Sequence, residues 1–253
     1  MLILLTNDDG IHAPGLRALE REMSLLGETC VVAPATEQSG VGHSITYLRP
    51  LIAHEVFEQG RRRGWAVEGS PADSVKLGVF EFAPRRPDLV VSGINSGLNA
   101  GINVLYSGTV AASIEGAFFG LTSIAVSLEF EDAARYDRAA AVARRVIEQI
   151  LAQKPEHPRL YNINIPTAAL DGPADVRVVP MGVHPYEEAF EKRVDPRGRN
   201  YYWMNGKLKN LTAEPLTDVT ALAQGFVTVT PLDFDLTRRD ELAAMSKWQF
   251  NLR

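Results

Sequence analysis

The sequence predicts an α/β fold built on a doubly wound, mostly parallel sheet, and three observations carry that reading. Short apolar runs alternate with stretches of helical periodicity along most of the chain. The first of them form a βαβ unit within the opening 33 residues. The chain has 253 residues, 45% hydrophobic and 23% charged, which fits one large α/β domain or one domain with an extension used in assembly.

Leu2 to Thr6 is an apolar run that ends in the turn-like Asn7-Asp8-Asp9-Gly10. Residues 14–26 then space Leu16, Leu19, Met23 and Leu26 as a helix does, with Pro14 suited to its first turn and Gly27 to its stop. Thr29 to Ala33 reads as a second buried strand. Ser70-Pro71-Ala72-Asp73 has the form of an N-cap followed by Pro, leading a helix to about Phe80. Strands follow at 88–92, 123–128 and 161–165. Between them lie a small-residue helix at 109–120 and an amphipathic helix at 133–152, with Ala139, Val142, Val146 and Ile150 on one face.

Past about residue 170 the texture changes. Residues 176–205 are polar or alternating, rich in Tyr, Arg and Pro, and read as a β-hairpin or long extension outside the doubly wound core. A strand returns at 226–230, and 238–248 reads as a C-terminal helix. The expected organisation is a single unit over 1–253. Its core spans about 1–170 and 225–232, its hairpin extension 176–205, and its C-terminal segment 233–253.

Composition narrows the function classes. A net charge of -5 lacks the basic footprint of a nucleic-acid polymer binder, while leaving room for a small anionic substrate. The single cysteine, Cys30, forms no intramolecular disulfide and reads as a buried, inert thiol. The opening MLILLTNDD lacks a basic n-region, and no apolar run approaches the ~20 residues of a membrane span. A cytoplasmic protein without a membrane partner is the expectation.

Four segments carry chemistry. Asp8 and Asp9 are adjacent carboxylates directly after a buried strand, costly to place unless something positive sits with them. Ligands in open α/β sheets lie beyond the carboxyl ends of strands, and hard oxygens there suit Mg²⁺ or Mn²⁺; these four residues alone are equally a polar turn with Asp at a helix cap. The segment 37–44, EQSGVGHS, follows the second strand and can form a backbone anion nest, or can be a plain surface loop. Residues 92–101, SGINSGLNAG, hold three glycines and two asparagines, more than a simple turn needs, and Asn95 offers a neutral oxygen. Tyr106-Ser107-Gly108-Thr109 opens a helix, where free N–H groups and two hydroxyls make a phosphate site compatible with simple capping. Three of these segments follow strands of one sheet and the fourth starts a helix, so all four can meet at one edge and describe a metal–phosphate site.

The chain resembles the SurE survival proteins, a family of 5′/3′-nucleotidases. The likeness rests on TNDDGI (6–11), PATEQSGVGHSIT (34–46), PDLVVSGINSGLNAG (87–101), YSGTVAASIEG (106–116), NINIP (162–166), DPRGRNYYW (195–203) and GFVTVTPL (225–232). The resemblance implies a Rossmann-like core and one divalent cation per subunit, Mg²⁺ or Mn²⁺, held at the positions of Asp8, Asp9, Ser39 and Asn95. It implies a homodimer or homotetramer built through a protruding hairpin and an exchanged C-terminal segment. The implied substrates are nucleoside 5′- and 3′-monophosphates and, for some members, short polyphosphate. Departures are few: Ser70 and Ser74 stand where the family often has Thr and Cys, Ala111 and Leu216 where Gly is common.

On this reading Asp8 and Asp9 carry the catalytic and metal-holding charge. Asn7, Gly40, Asn95, Asn99, Ser107, Gly108 and Thr109 hold phosphate. The nucleophile stays open between a cation-activated water, which is preferred, and Asp8 itself, and His43 is a candidate acid. A nucleotide-binding protein without catalysis is the rival class, opposed by the intact four-residue set. A dinucleotide-dependent oxidoreductase is set aside, because NDDGIHAPG after the first strand lacks G-x-G-x-x-G.

Overall fold

β1 (Leu2–Thr6) lies inside the sheet because four of its five residues are aliphatic: Leu2, Ile3, Leu4 and Leu5 are wholly buried. Each such side chain contributes about 1.5–3 kcal/mol by leaving water. The computed structural model describes residues 1–153, 157, 159–183, 186–208 and 216–252. Around β1 it places β2 (Glu28–Pro34), β3 (Ala53–Glu58), β4 (Arg61–Val67), β5 (Leu89–Ser96), β6 (Thr122–Leu128), β7 (Leu160–Ile165) and β8 (Val176–Val178). β9 (Tyr186–Val194) and β10 (Asn200–Leu208) form a separate antiparallel hairpin, and β11 (Val227–Leu232) returns to the main sheet.

The nine-stranded sheet runs β3-β4-β2-β1-β5-β6-β7-β11-β8. The six strands from β4 to β7 are parallel, while β3 and β11 run antiparallel to β4 and β7. Helices cover both faces. α1 (Pro14–Met23) and α4 (Tyr136–Ala152) pack over one core, which holds Ile3, Leu5, Leu16 and Ile147. α2 (Pro71–Leu77) and α3 (Gly108–Phe118) pack over the other, which holds Leu4, Val32, Val75 and Ala112. The doubly wound, mostly parallel sheet and the projecting hairpin are therefore both present. α5 (Asp218–Ala223) and α6 (Arg239–Met245) complete the chain. Among the described residues, no helix is long and apolar enough to cross a membrane.

The details depart from the sequence reading in instructive places. The helix expected to reach Leu26 stops at Met23, and Leu25 is exposed, so the apolar spacing outruns the helix. β3 and β4 have no counterpart in that reading. β4 opens with Arg61-Arg62-Arg63, a charge run that hides a strand, yet Arg63 is buried against Glu20 at 2.9 Å and the Ile11 carbonyl at 2.5 Å. Val176–Val178 adds to the main sheet beside β11, so the hairpin proper begins at Tyr186. Ser70 caps α2 in a reciprocal box with Asp73, so Ser serves there as Thr would.

Candidate active site

The turn after β1 is built by Asn7. Its buried amide receives the Gly10 N–H at 3.2 Å and donates to the Gly10 carbonyl at 3.0 Å. Gly10 has a φ of +99°, a conformation that any side chain would strain. This turn sets Asp8, only 4% exposed, and the partly buried Asp9 at the carboxyl end of β1. Burial pushes the Asp8 carboxyl up, against the opposing hydrogen bond from the Thr109 hydroxyl to its Oδ1. Asp9 is pushed up to about 7, first by burial and then by the charges of Asp8 and Glu37, with a backbone hydrogen bond from Ser96 opposing. Neither carboxylate has a Lys, Arg or His partner among the described residues.

Two further strand ends close on this pair. The Gln38 N–H donates to the Asp8 carbonyl at 2.7 Å, which ties the loop after β2 to the end of β1. The Gly42 N–H donates to the Tyr106 carbonyl at 3.0 Å, which ties the same loop to the approach of α3. Between these ties Ser39 and Gly40 are exposed, and the Ser39 hydroxyl donates to Glu37 at 2.7 Å. β5 carries an irregularity between Ser92 and Asn95, where the Gly93–Ile94 peptide is cis. Asn95 spends its Nδ2 on the Gly97 carbonyl at 2.7 Å, which leaves Oδ1 as its open end.

α3 presses its first turn against Asp8. A Cβ added at Gly108 would lie 2.8 Å from the Asp8 Cβ and 3.0 Å from its Oδ2, so only glycine permits this approach. Ser107 caps the helix by accepting the Val110 N–H at 3.1 Å, and its hydroxyl donates no hydrogen bond among the described residues. Among the described residues, no group of three or more His, Cys, Asp or Glu side chains is arranged to hold a metal ion.

The family described as "Survival protein SurE" matches residues 3–188. A protein named 5′-nucleotidase SurE from Rhodopirellula baltica is 58% identical over 254 residues and covers 100% of both chains. The chain belongs to the SurE family. A 5′-nucleotidase SurE from Heliobacterium modesticaldum is 44% identical, covering 98% of this chain and 92% of its own. The crystal structure of a SurE protein from Aquifex aeolicus superposes with a TM-score of 0.85 at 35% identity, covering 97% and 98% of the two chains.

Within this SurE fold the ten residues singled out in the sequence divide into two groups. Asp8, Asp9, Ser39, Gly40, Asn95, Ser107, Gly108 and Thr109 stand on the four segments that the cross-loop bonds draw together. Asn7 and Asn99 serve the loops themselves. The Asn99 amide donates to Ser127 Oγ at 2.9 Å, and its backbone is held by Asn162 and Asn164 at 2.7–3.1 Å. The motif NINIP is thereby explained, since its two asparagines are buried and pin the loop after β5. Sequence reasoning missed Glu37, whose charge acts on both aspartates. It also missed Glu115, which is buried on α3 and bonded to His43 Nε2 at 2.7 Å and to Lys76. The fixed spacing of His43 and Glu115 across 72 positions leaves no local signal.

Proposed function

We propose that the protein is a metal-dependent phosphomonoesterase that hydrolyses nucleoside 5′- and 3′-monophosphates. The observation that carries this is the pair of carboxylates, Asp8 and Asp9, withdrawn from water without a cationic partner among the described residues and set beside a helix start. Buried uncompensated charge is costly, and it is retained where a ligand of opposite charge completes it. The names of the relatives, 5′-nucleotidase SurE, supply the substrate class.

The donor chemistry fits a small divalent cation. Two carboxylates, the Ser39 hydroxyl and the Asn95 Oδ1 are all hard oxygens, the set that Mg²⁺ or Mn²⁺ takes. Asp8, Asp9, Ser39 and Asn95 would hold one such ion per subunit. When bound, it would screen the phosphate's charge and acidify a water.

The remaining chemistry belongs to the chain. Backbone N–H groups at Gly40 and Gly108, with the hydroxyl of Ser107, hold the phosphoryl oxygens where charge spreads during in-line transfer. Thr109 points its hydroxyl at Asp8, so its part is to orient that carboxylate. Asp8 is 4% exposed and hemmed in by Gly108, which favours water over Asp8 as the attacking group.

Assembly as a homodimer or homotetramer is part of the same proposal. Phe190, Tyr202, Trp203 and Met204 on the β9–β10 hairpin are 58–70% exposed in the single chain, an aromatic-rich surface of the kind that anchors interfaces. The side chain of Tyr186 lies outside the described residues. Light scattering checks this: a mass of one 27.8 kDa chain contradicts it.

The test of function is phosphate release from a panel of 5′- and 3′-nucleoside monophosphates and short polyphosphate. Each substrate is assayed in chelator and again with Mg²⁺ or Mn²⁺ restored. Nucleotide turnover that depends on the added ion supports the proposal, and full turnover in excess chelator refutes it.

A further inference from the structure

A polar cleft of about 440 Å³ lies beyond the carboxyl ends of β2 and β4, walled by Thr36, Gln38, Thr46, Arg49, Glu68 and Ser70. We propose that this cleft seats the nucleoside of the substrate and that Arg49 binds it, an inference that rests on the nucleotidase reading above. Four observations support it. The cleft lies where open α/β sheets bind ligands, and its volume falls within the ~300–1,000 Å³ of small-molecule sites. It adjoins the phosphate loop: Gln38 lines it, donates its N–H to the Asp8 carbonyl at 2.7 Å, and precedes Ser39. A phosphate held by Gly40, Ser107 and Gly108 therefore has room for its ester group on this side.

The walls are fixed before any ligand arrives. The Ser70 hydroxyl donates to the Ser44 carbonyl at 2.6 Å, the Thr46 N–H donates to both oxygens of Asp73 at 3.0 Å, and the Ala35 N–H donates to the Val67 carbonyl at 2.8 Å. Preformed walls spare the ordering cost of binding. Arg49 differs from them. It is exposed and makes no ion pair or side-chain hydrogen bond among the described residues, whereas Glu68 across the cleft is paired with His54 at 3.0 Å. A free guanidinium offers a planar fork of donors to base or ribose oxygens and a flat face to an aromatic ring.

A second cleft, of about 380 Å³, runs beside α3 between His43, Leu105, Ser107, Leu232 and Phe234. It is largely apolar, lies along the helix rather than beyond strand ends, and offers the Ser107 hydroxyl but no guanidinium, so it lacks the position of the first and a fork of donors for a base or ribose.

The experiment measures kcat/KM for a nucleoside 5′-monophosphate and for p-nitrophenyl phosphate, which carries no nucleoside, and takes their ratio. Arg49→Ala and the cleft-filling Thr36→Phe, both at exposed positions, are each expected to lower the ratio about tenfold or more, the effect of losing one charge-assisted contact. An unchanged ratio in both variants overturns the proposal, as does a fall produced by Leu105→Ala instead. Wild-type protein with no preference for the nucleotide overturns the nucleotidase reading, and this inference with it. A wild-type preference that survives both variants overturns this inference alone.

Discussion

The hydroxyl of Thr109, in the first turn of α3, donates to Oδ1 of Asp8 at the end of β1, across 101 positions of sequence. That bond joins the helix start to the carboxylate pair. With the Gln38 N–H bond to the Asp8 carbonyl, and with β5 paired beside β1 so that Ser92 lies opposite Thr6, it brings four separate segments to one edge of the sheet.

Asp8→Asn keeps the shape of the side chain and removes its charge. Turnover is expected to fall at least ~100-fold, because a charge that holds the cation is lost. The same change relieves buried, unpaired charge, so the melting temperature in chelator should be equal to or above that of wild type. Calorimetry in chelator and steady-state kinetics with saturating Mn²⁺ read both outcomes. Retained turnover contradicts the role assigned to Asp8.

The metal-free protein should lose stability as pH rises. Asp9 has a folded-state value of about 7 against an ordinary 3.8, because burial comes first and the Asp8 and Glu37 charges add to it. Between those values the folded protein keeps a proton that the unfolded chain releases. Stability from this group is therefore lost between about pH 4 and about pH 7, and the loss is complete above that window. Melting in chelator at about pH 5 and about pH 8 should show the drop, and Asp9→Asn should shrink it. An equal drop in the variant removes Asp9 as its source.

Gly108→Ala places a methyl group 2.8 Å from the Asp8 Cβ and 3.2 Å from Pro71. Backbone or carboxylate must shift, at a cost of about 1–3 kcal/mol. Turnover should fall about tenfold or more, since a displaced carboxylate misaligns the site. Ala117→Gly, in the same helix, supplies a control for helix propensity alone. Wild-type kinetics in Gly108→Ala would show that the close approach has no functional weight.

Much of this was legible in the sequence, for physical reasons that differ from part to part. β1 and β5 are buried on both faces, so their apolar runs announce them. The loops after β1 and β2 suit a ligand site or a plain polar turn equally in the sequence, and only the fold shows that the Gln38 N–H ties the second to the Asp8 carbonyl. β4 was hidden because Arg63 is neutralised by Glu20, a partner 43 positions away that only the fold supplies. Asn99 shows the opposite limit. An asparagine in a glycine-rich loop offers an amide to a phosphate or to its own neighbours, and Ser127, Asn162 and Asn164, which take up its side chain and backbone, come from β6 and β7.

The convergence of Asp8, Asp9, Ser39 and Asn95 on one divalent ion is tested most directly by anomalous scattering from a crystal soaked in Mn²⁺. The predicted result is a single peak per subunit, with oxygens of Asp8, Asp9, Ser39 and Asn95 at ~2.0–2.3 Å, near the hard-cation range. A peak held by other residues, or none at a concentration that saturates turnover, would contradict the account.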